Sequence, residues 1–228
     1  MKRLMTFVAA LALLVPSWCG AVLIAEVEAN NSLATAQIVD AHFSLDFSPD
    51  IGNGTHVDNT STTIPHVTIR GSGDGTFDYY SFFFPGPGST SGFVVLDIDY
   101  PSSSFDSHIA LWAADGTLLG HNDDYDFRGG AGGSVANRGN DSYDSLMTAF
   151  LTTPGTYIVG VARWGAGFGP SGYIGGFVDA EPQTGDLYTL QISVEGMPTV
   201  PVPEPSTFAL LAAGAIAVTG FALRRRKA

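Results

Sequence analysis

The 228-residue chain carries 22 acidic residues against 10 basic ones, a formal net charge of −12. The imbalance deepens between residues 22 and 201, where four arginines and no lysine face 21 carboxylates, a net charge of −17. A surface of that sign repels nucleic acid and anionic lipid, which excludes both as partners of this region, and it attracts cations.

At the N-terminus, Lys2 and Arg3 precede an apolar run over residues 5–15, and Pro16-Ser17-Trp18 breaks it before Cys19-Gly20-Ala21. These are the three parts of a secretory signal peptide over residues 1–21, cleaved after Ala21, and the run is too short to serve as a spanning anchor. Trp18 stands where a lipoprotein signal has a small residue. Cys19 is the only cysteine and leaves with the signal, so the exported region has no disulfide and relies on its core or on a bound metal.

Residues 22–196 form the one domain, long enough for a proper core. Residues 31–39 read either as a short helix or as an extended lead-in. Beyond them come short alternating runs bounded by Gly, Pro, Asn and Asp, the pattern of an all-β, jelly-roll-like sandwich. The predicted strands cover 66–70, 77–84, 93–100, 107–112, 117–121, 145–151, 156–163 and 187–195. On the second, Tyr80, Phe82 and Phe84 share a face. On the third, Val94, Leu96, Ile98 and Tyr100 point inward while Asp97 and Asp99 point outward. Ile109 and Leu111 are buried on the fourth, and Asp115-Gly116 turns the chain into the fifth. Tyr157, Val159 and Val161 share one face of the seventh; Tyr188, Leu190, Ile192 and Val194 share one face of the last. The Gly-rich stretches 127–140 and 165–181 read as long mobile loops, and 197–201 as a Pro-rich linker.

The C-terminus has Val202-Pro203-Glu204-Pro205-Ser206-Thr207, an uncharged apolar stretch over 208–223, and the basic residues 224–227. The stretch reads as a short transmembrane helix. Sixteen residues at about 1.5 Å each cover roughly 24 Å, less than a hydrocarbon core of about 30 Å, and snorkelling arginines supply the remainder. The basic cluster belongs on the cytoplasmic side, which places everything upstream outside. In this order the elements of residues 202–228 resemble the PEP-CTERM sorting signal of Gram-negative bacteria. The resemblance implies processing near Pro203, Glu204 and Pro205 by an exosortase, a membrane cysteine protease, and a setting among exopolysaccharide producers.

A second resemblance spans much of the domain. It rests on Glu26-Val27-Glu28-Ala29-Asn30-Asn31-Ser32, Gly75-Thr76-Phe77-Asp78-Tyr79-Tyr80-Ser81-Phe82 and Phe105-Asp106-Ser107-His108-Ile109-Ala110-Leu111-Trp112. Asp115-Gly116-Thr117-Leu118-Leu119, Asn122-Asp123-Asp124, Pro154-Gly155-Thr156-Tyr157-Ile158-Val159 and Leu187-Tyr188-Thr189-Leu190 continue it. In this order they resemble the bacterial pre-peptidase C-terminal domain, a β-sandwich appended to secreted peptidases, with insertions between Asp40 and Pro65 and at the two Gly-rich loops. No peptidase accompanies it here, and Ala29 stands where that family often has Pro.

Ca²⁺ takes six to eight oxygens, and Glu26, Glu28, Asn30 and Asn31 offer them within one short segment. Related collagen-binding modules hold the ion through this lead-in and an Asp opening a strand. That resemblance implicates Glu26, Glu28, Asn30 and Asp78, with Asn31 or Asp74 as further ligands. The other acidic group (Asn122, Asp123, Asp124, Asp126, Asp141 and Asp144) begins like an EF-hand loop. Phe127 occupies the place of its turn glycine, however, and no Glu closes it, so these are read as polar turn residues.

Catalytic motifs are missing: there is no nucleophile elbow, no His-Glu-x-x-His, and the five histidines have no metal-ligand spacing. Gly71, Gly73 and Gly75 open a strand, not a helix, and so do not form a nucleotide loop. Trp112, Trp164, Phe168, Tyr173 and Phe177, read as lying on an outward strand face or in the Gly-rich loop, are candidates for stacking on a ligand. The expectation is an exported, non-enzymatic binding or matrix protein whose partners are an exosortase and an extracellular polysaccharide or surface protein. A polysaccharide hydrolase using paired carboxylates and a purely structural spacer are the alternatives.

Overall fold

Two stacked sheets carry the domain, each built from five strands that alternate as the sequence does. The computed structural model describes residues 23–55, 58–102, 104–124, 143–176 and 179–200. In chain order the strands are β1 (Leu23–Ala25), β2 (Gln37–Ile38), β3 (His66–Ser72), β4 (Asp78–Phe84), β5 (Phe93–Asp99) and β6 (Ser107–Ala113). They continue as β7 (Leu118–Asn122), β8 (Leu146–Phe150), β9 (Gly155–Arg163), β10 (Gly167–Gly169), β11 (Gly172–Ile174) and β12 (Leu187–Val194). One sheet runs β1-β3-β12-β5-β8 and the other β2-β4-β9-β6-β7, with β10 and β11 as a separate hairpin. A single turn of 3₁₀ helix at Asp40–His42 is the only helix among the described residues. None there is long and apolar enough to cross a membrane. The signal peptide, the 127–140 loop, the sorting tail and its predicted helix lie outside the described residues.

The eight predicted strands are all present, and the predicted inner faces meet in one core. Tyr80, Phe82 and Phe84 from β4, Val94, Leu96 and Ile98 from β5, and Val159 and Val161 from β9 pack there with Leu190, Ile192 and Val194 from β12. Tyr100 is a correction. β5 ends at Asp99, and Tyr100, at φ 51°, turns the ring away so that it is 42% exposed. Its hydroxyl bonds to Asp50 instead.

Residues 31–39 are the extended lead-in, not a helix. β1 joins β3 in parallel in one sheet, and β2 joins β4 in parallel in the other. The chain between β1 and β2 therefore steps from one sheet to the other. It is tied down by Glu26 N–H donating to Arg70 O and by Tyr79 N–H donating to Asn30 O.

Both outer faces are covered, which the alternation alone does not reveal. On the β3-β12-β5 face, Asp97 and Asp99 point outward as predicted but are 3% and 0% exposed. The insertion before β3 lies over this face. Asp46 and the carbonyls of Ser61 and Ile64 approach His66 on β3, while Gly54 sits against Leu146 and Thr148 on β8. On the opposite sheet, the stretch predicted as a loop over 165–181 folds into the β10-β11 hairpin. Beneath it a second cluster forms from Tyr79, Ala110, Trp112, Ile158, Ala162 and Tyr173. Gly160 makes room for this cluster: a Cβ there would come within 2.7 Å of the Trp112 ring and 2.9 Å of the Tyr173 ring.

Candidate functional site

The lead-in crosses between the sheets at the end where β3 finishes and where β4 and β12 begin. That placement brings Glu26 and Glu28 beside Asp78, the first residue of β4. Oxygens of the three carboxylates lie within 4.8 Å of one another. Glu26 is fixed by three donors. The Ser72 N–H donates to its Oε2 at 2.7 Å, while Oε1 accepts from Asn30 Nδ2 at 3.0 Å and from the Tyr80 hydroxyl, with the Tyr188 hydroxyl oxygen 3.2 Å away. Asp78 accepts the Tyr188 hydroxyl on Oδ2 at 2.6 Å.

Two oxygens remain over. Asn30 and Asp78 are both 0% exposed, and Asn30 Oδ1 and Asp78 Oδ1 are buried with no hydrogen-bond partner. An unpaired buried polar atom costs about 1–3 kcal/mol, so native proteins give almost all of them a partner. The charge is equally unbalanced. Burial, and after it the Glu26 carboxylate, push the Asp78 carboxyl from 3.8 up to about 9. Glu28 is raised as well, by burial and then by Glu26 and Asp74. Without a cation the cluster holds a proton to limit its own repulsion; a divalent cation removes that need. The carboxylates of Glu26 and Asp78, an amide oxygen of Asn30 and the exposed Glu28 open to water are donor types that Ca²⁺ takes, and the orphaned oxygens fit that ion.

The structure thus brings together Glu26, Glu28, Asn30 and Asp78. Asp74 stands at the margin: its Oδ1 accepts the backbone N–H and hydroxyl of Thr76, while its charge acts on Glu28 and Asp78. Asn31 is exposed. Tyr80 and Tyr188 belong to the site although the sequence reading placed them only in the core. Their signal was available. A tyrosine at an inward position of a strand brings a hydroxyl that needs a partner, where Phe would need none.

The aromatic candidates are a correction. Trp112 is 0% exposed and Tyr173 6%, because the hairpin closes over the strand face that carries Trp112. Tyr173 N–H accepts no solvent role either: it donates to the Tyr79 hydroxyl at 2.7 Å, and the Tyr173 hydroxyl donates to His108 O at 2.8 Å. Phe168 is half-buried against the same cluster. Trp164 alone of the four stays on the surface, 54% exposed. Phe177 lies outside the described residues, as do Asp126 and Asp141 of the second acidic group. Asn122 there caps a turn, donating to Leu146 O and accepting from Asp124 N–H.

A separate groove of about 470 Å³ runs where β7 meets β8. Asn53, Thr55, His121, Asn122 and Thr148 line it, and no carboxylate does so among the described residues.

Comparison with known sequences bears on the tail. Residues 201–227 match the PEP-CTERM protein-sorting motif. This motif marks proteins that are exported and sorted by an exosortase. The matched stretch contains Pro203, Glu204 and Pro205 and agrees with the predicted signal to within one residue at each end. No curated protein matches the chain.

Proposed function

We propose that the sandwich is a non-catalytic display module of the pre-peptidase C-terminal kind, tightened by Ca²⁺ at Glu26, Glu28, Asn30 and Asp78, and presented outside the cell by exosortase-dependent sorting. One observation carries the metal reading: three clustered carboxylates share a site with two fully buried oxygens that have no partner. The sorting motif supplies the setting. In that setting the module acts as a matrix or surface component. Its groove of amide, hydroxyl and imidazole groups suits an uncharged, hydroxyl-rich polymer better than a charged one.

Two facts weigh against a hydrolase. A glycosidase presents two carboxyls to a bound sugar. Asp78, whose carboxyl is the most strongly raised, is closed to any substrate at 0% exposure, and among the described residues no carboxylate lines the groove.

The test is a thermal melt of the full chain in mild detergent, first with excess chelator and then across a calcium series. At one hundred times the dissociation constant, calcium adds about 2.7 kcal/mol of stability. Glu28→Gln, at the exposed edge of the cluster, keeps the chelated melting temperature and loses most of the calcium increment. A melt that ignores calcium overturns the metal reading.

A further inference from the structure

A second constellation lies on the outer face of the other sheet. His108 on β6 and His121 on β7 meet there, although 13 residues separate them in sequence. The antiparallel register sets Ala110 opposite His121, which makes His108 its diagonal neighbour on the same face. The two rings face each other through His108 Nε2 and His121 Nδ1, 3.1 Å apart. Phe168 of the covering hairpin packs against both, 4.4 Å from the His121 ring and 5.2 Å from the His108 ring, centroid to centroid. His108 is 5% exposed, and its other nitrogen, Nδ1, is buried with no hydrogen-bond partner. His121 is exposed, so the gap between the rings opens towards solvent from one side.

Two imidazole nitrogens aimed at each other share one proton or one metal ion. A metal–nitrogen bond of about 2.0–2.1 Å places two adjacent ligand nitrogens about 2.9 Å apart in square-planar geometry and about 3.4 Å apart in tetrahedral geometry. The observed 3.1 Å falls between these values, so the nitrogens are already at ligand spacing and an ion enters by displacing the shared proton as the rings turn their lone pairs towards it. Both rings then stay neutral, each with its proton on the nitrogen remote from the ion. Asp123 follows His121 by two residues and acts electrostatically on His108, providing an acidic neighbour for the cation. The hairpin wall fixes the rings from the far side, as supporting contacts do at a metal site.

We propose that His108 and His121 form a two-imidazole site for a divalent first-row transition ion, Cu²⁺ above Zn²⁺, distinct from the carboxylate site at the sandwich end. The selectivity follows from ligand chemistry: imidazole suits copper, nickel and zinc, whereas carboxylate and amide oxygens suit calcium. The consequence is a clip. β7 is the edge strand of its sheet, and an ion held between His108 and His121 ties it to β6 at the point where the hairpin packs.

The experiment uses the untagged full chain in mild detergent with calcium in excess, so that the carboxylate cluster is already engaged. Cu²⁺ is titrated in, and binding is followed by electron paramagnetic resonance. One ion per chain with a two-nitrogen imidazole signature is expected. His121→Ala, a change at an exposed position, weakens binding at least about tenfold and removes the two-nitrogen signature, with the fold checked by its melting temperature. Glu28→Gln leaves copper binding unchanged. The proposal is overturned if no stoichiometric copper binds, if the signature survives His121→Ala, or if Glu28→Gln abolishes it. None of these outcomes depends on whether calcium stabilises the domain.

Discussion

The two outer faces of the sandwich are both buried, but by different means. Over β3, β12 and β5 the insertion before β3 covers a polar layer that includes His66, Thr68, Gln191, Asp97 and Asp99, all of them buried. Over β4, β9 and β6 the β10-β11 hairpin covers Tyr79, Trp112 and Ile158, with Ala110 and Gly160 between them. In the second case the strands are shaped for the cover. Small residues leave a trough, and Tyr173 fills it, its ring 5.0 Å from Trp112 and 6.1 Å from Tyr79. The first cover meets polar side chains that an uncovered sheet would present to water. His66 keeps both ring nitrogens without a well-formed hydrogen bond, and Thr60 Oγ1, Thr68 Oγ1 and Gln191 Oε1 are likewise unpartnered. One cover adds a second apolar core; the other encloses polar groups and gains little from it.

That contrast predicts unequal responses. Trp112→Ala removes the centre of the aromatic cover and destabilises by about 3–5 kcal/mol, read from a denaturant melt. A loss below about 1 kcal/mol would show that the hairpin is not a packed part of the fold. The polar cover responds to pH instead. Burial lowers the pKa of His66 from 6.5. Above that value the ring is neutral in both states. Below it the unfolded chain takes up a proton that the folded chain refuses, so this contribution is full above pH 6.5 and is lost as the pH falls through the lowered folded value. The slope is at most about 1.4 kcal/mol per pH unit for one group, and His66→Gln removes that share. A melt whose acid limb is unaffected by His66→Gln would mean that the covering segment opens before the ring titrates. The smallest effect belongs to Gln191→Met, which keeps volume and deletes an unpartnered carbonyl. It shifts stability by less than about 1 kcal/mol, and a larger loss would reveal a well-made polar network there.

Most of the framework was legible in the sequence because it rests on a local rule. Alternation of apolar and polar residues marked every long strand and the inward faces of β4, β5, β9 and β12, since a strand's side chains point to opposite sides in strict turn. The same rule misjudged the outward residues. Asp97 and Trp112 both point away from the main core, as read, yet both are buried. What covers them is a long-range event: residues 165–181 are rich in glycine, and the short alternation of Phe43, Leu45 and Phe47 in the insertion before β3 does not say which face that segment will cover. The short strands β1 and β2 escaped for a related reason. Two- and three-residue strands hold through pairing with β3 and β4, and a run that short has no period to detect.

The acidic lead-in and the opening Asp of β4 were visible as oxygen donors before any fold was known, but their meeting was not. Glu26 and Asp78 are 52 residues apart in the chain, and only the crossing from β1 to β2 brings their carboxylates together. The tyrosine hydroxyls completing the cluster come from β4 and β12, in different sheets. His108 and His121 show the same division at shorter range. Their spacing resembles no metal motif, and strand pairing makes them neighbours.

The sequence by itself determined the sorting motif, the acidic character and the all-β class, because each depends on composition or on contiguous pattern. The tertiary structure alone decided which polar atoms lose water and which side chains converge. Burial and convergence depend on segments distant in the chain, and these are the quantities that set a buried carboxyl's proton affinity or aim two imidazoles at one point.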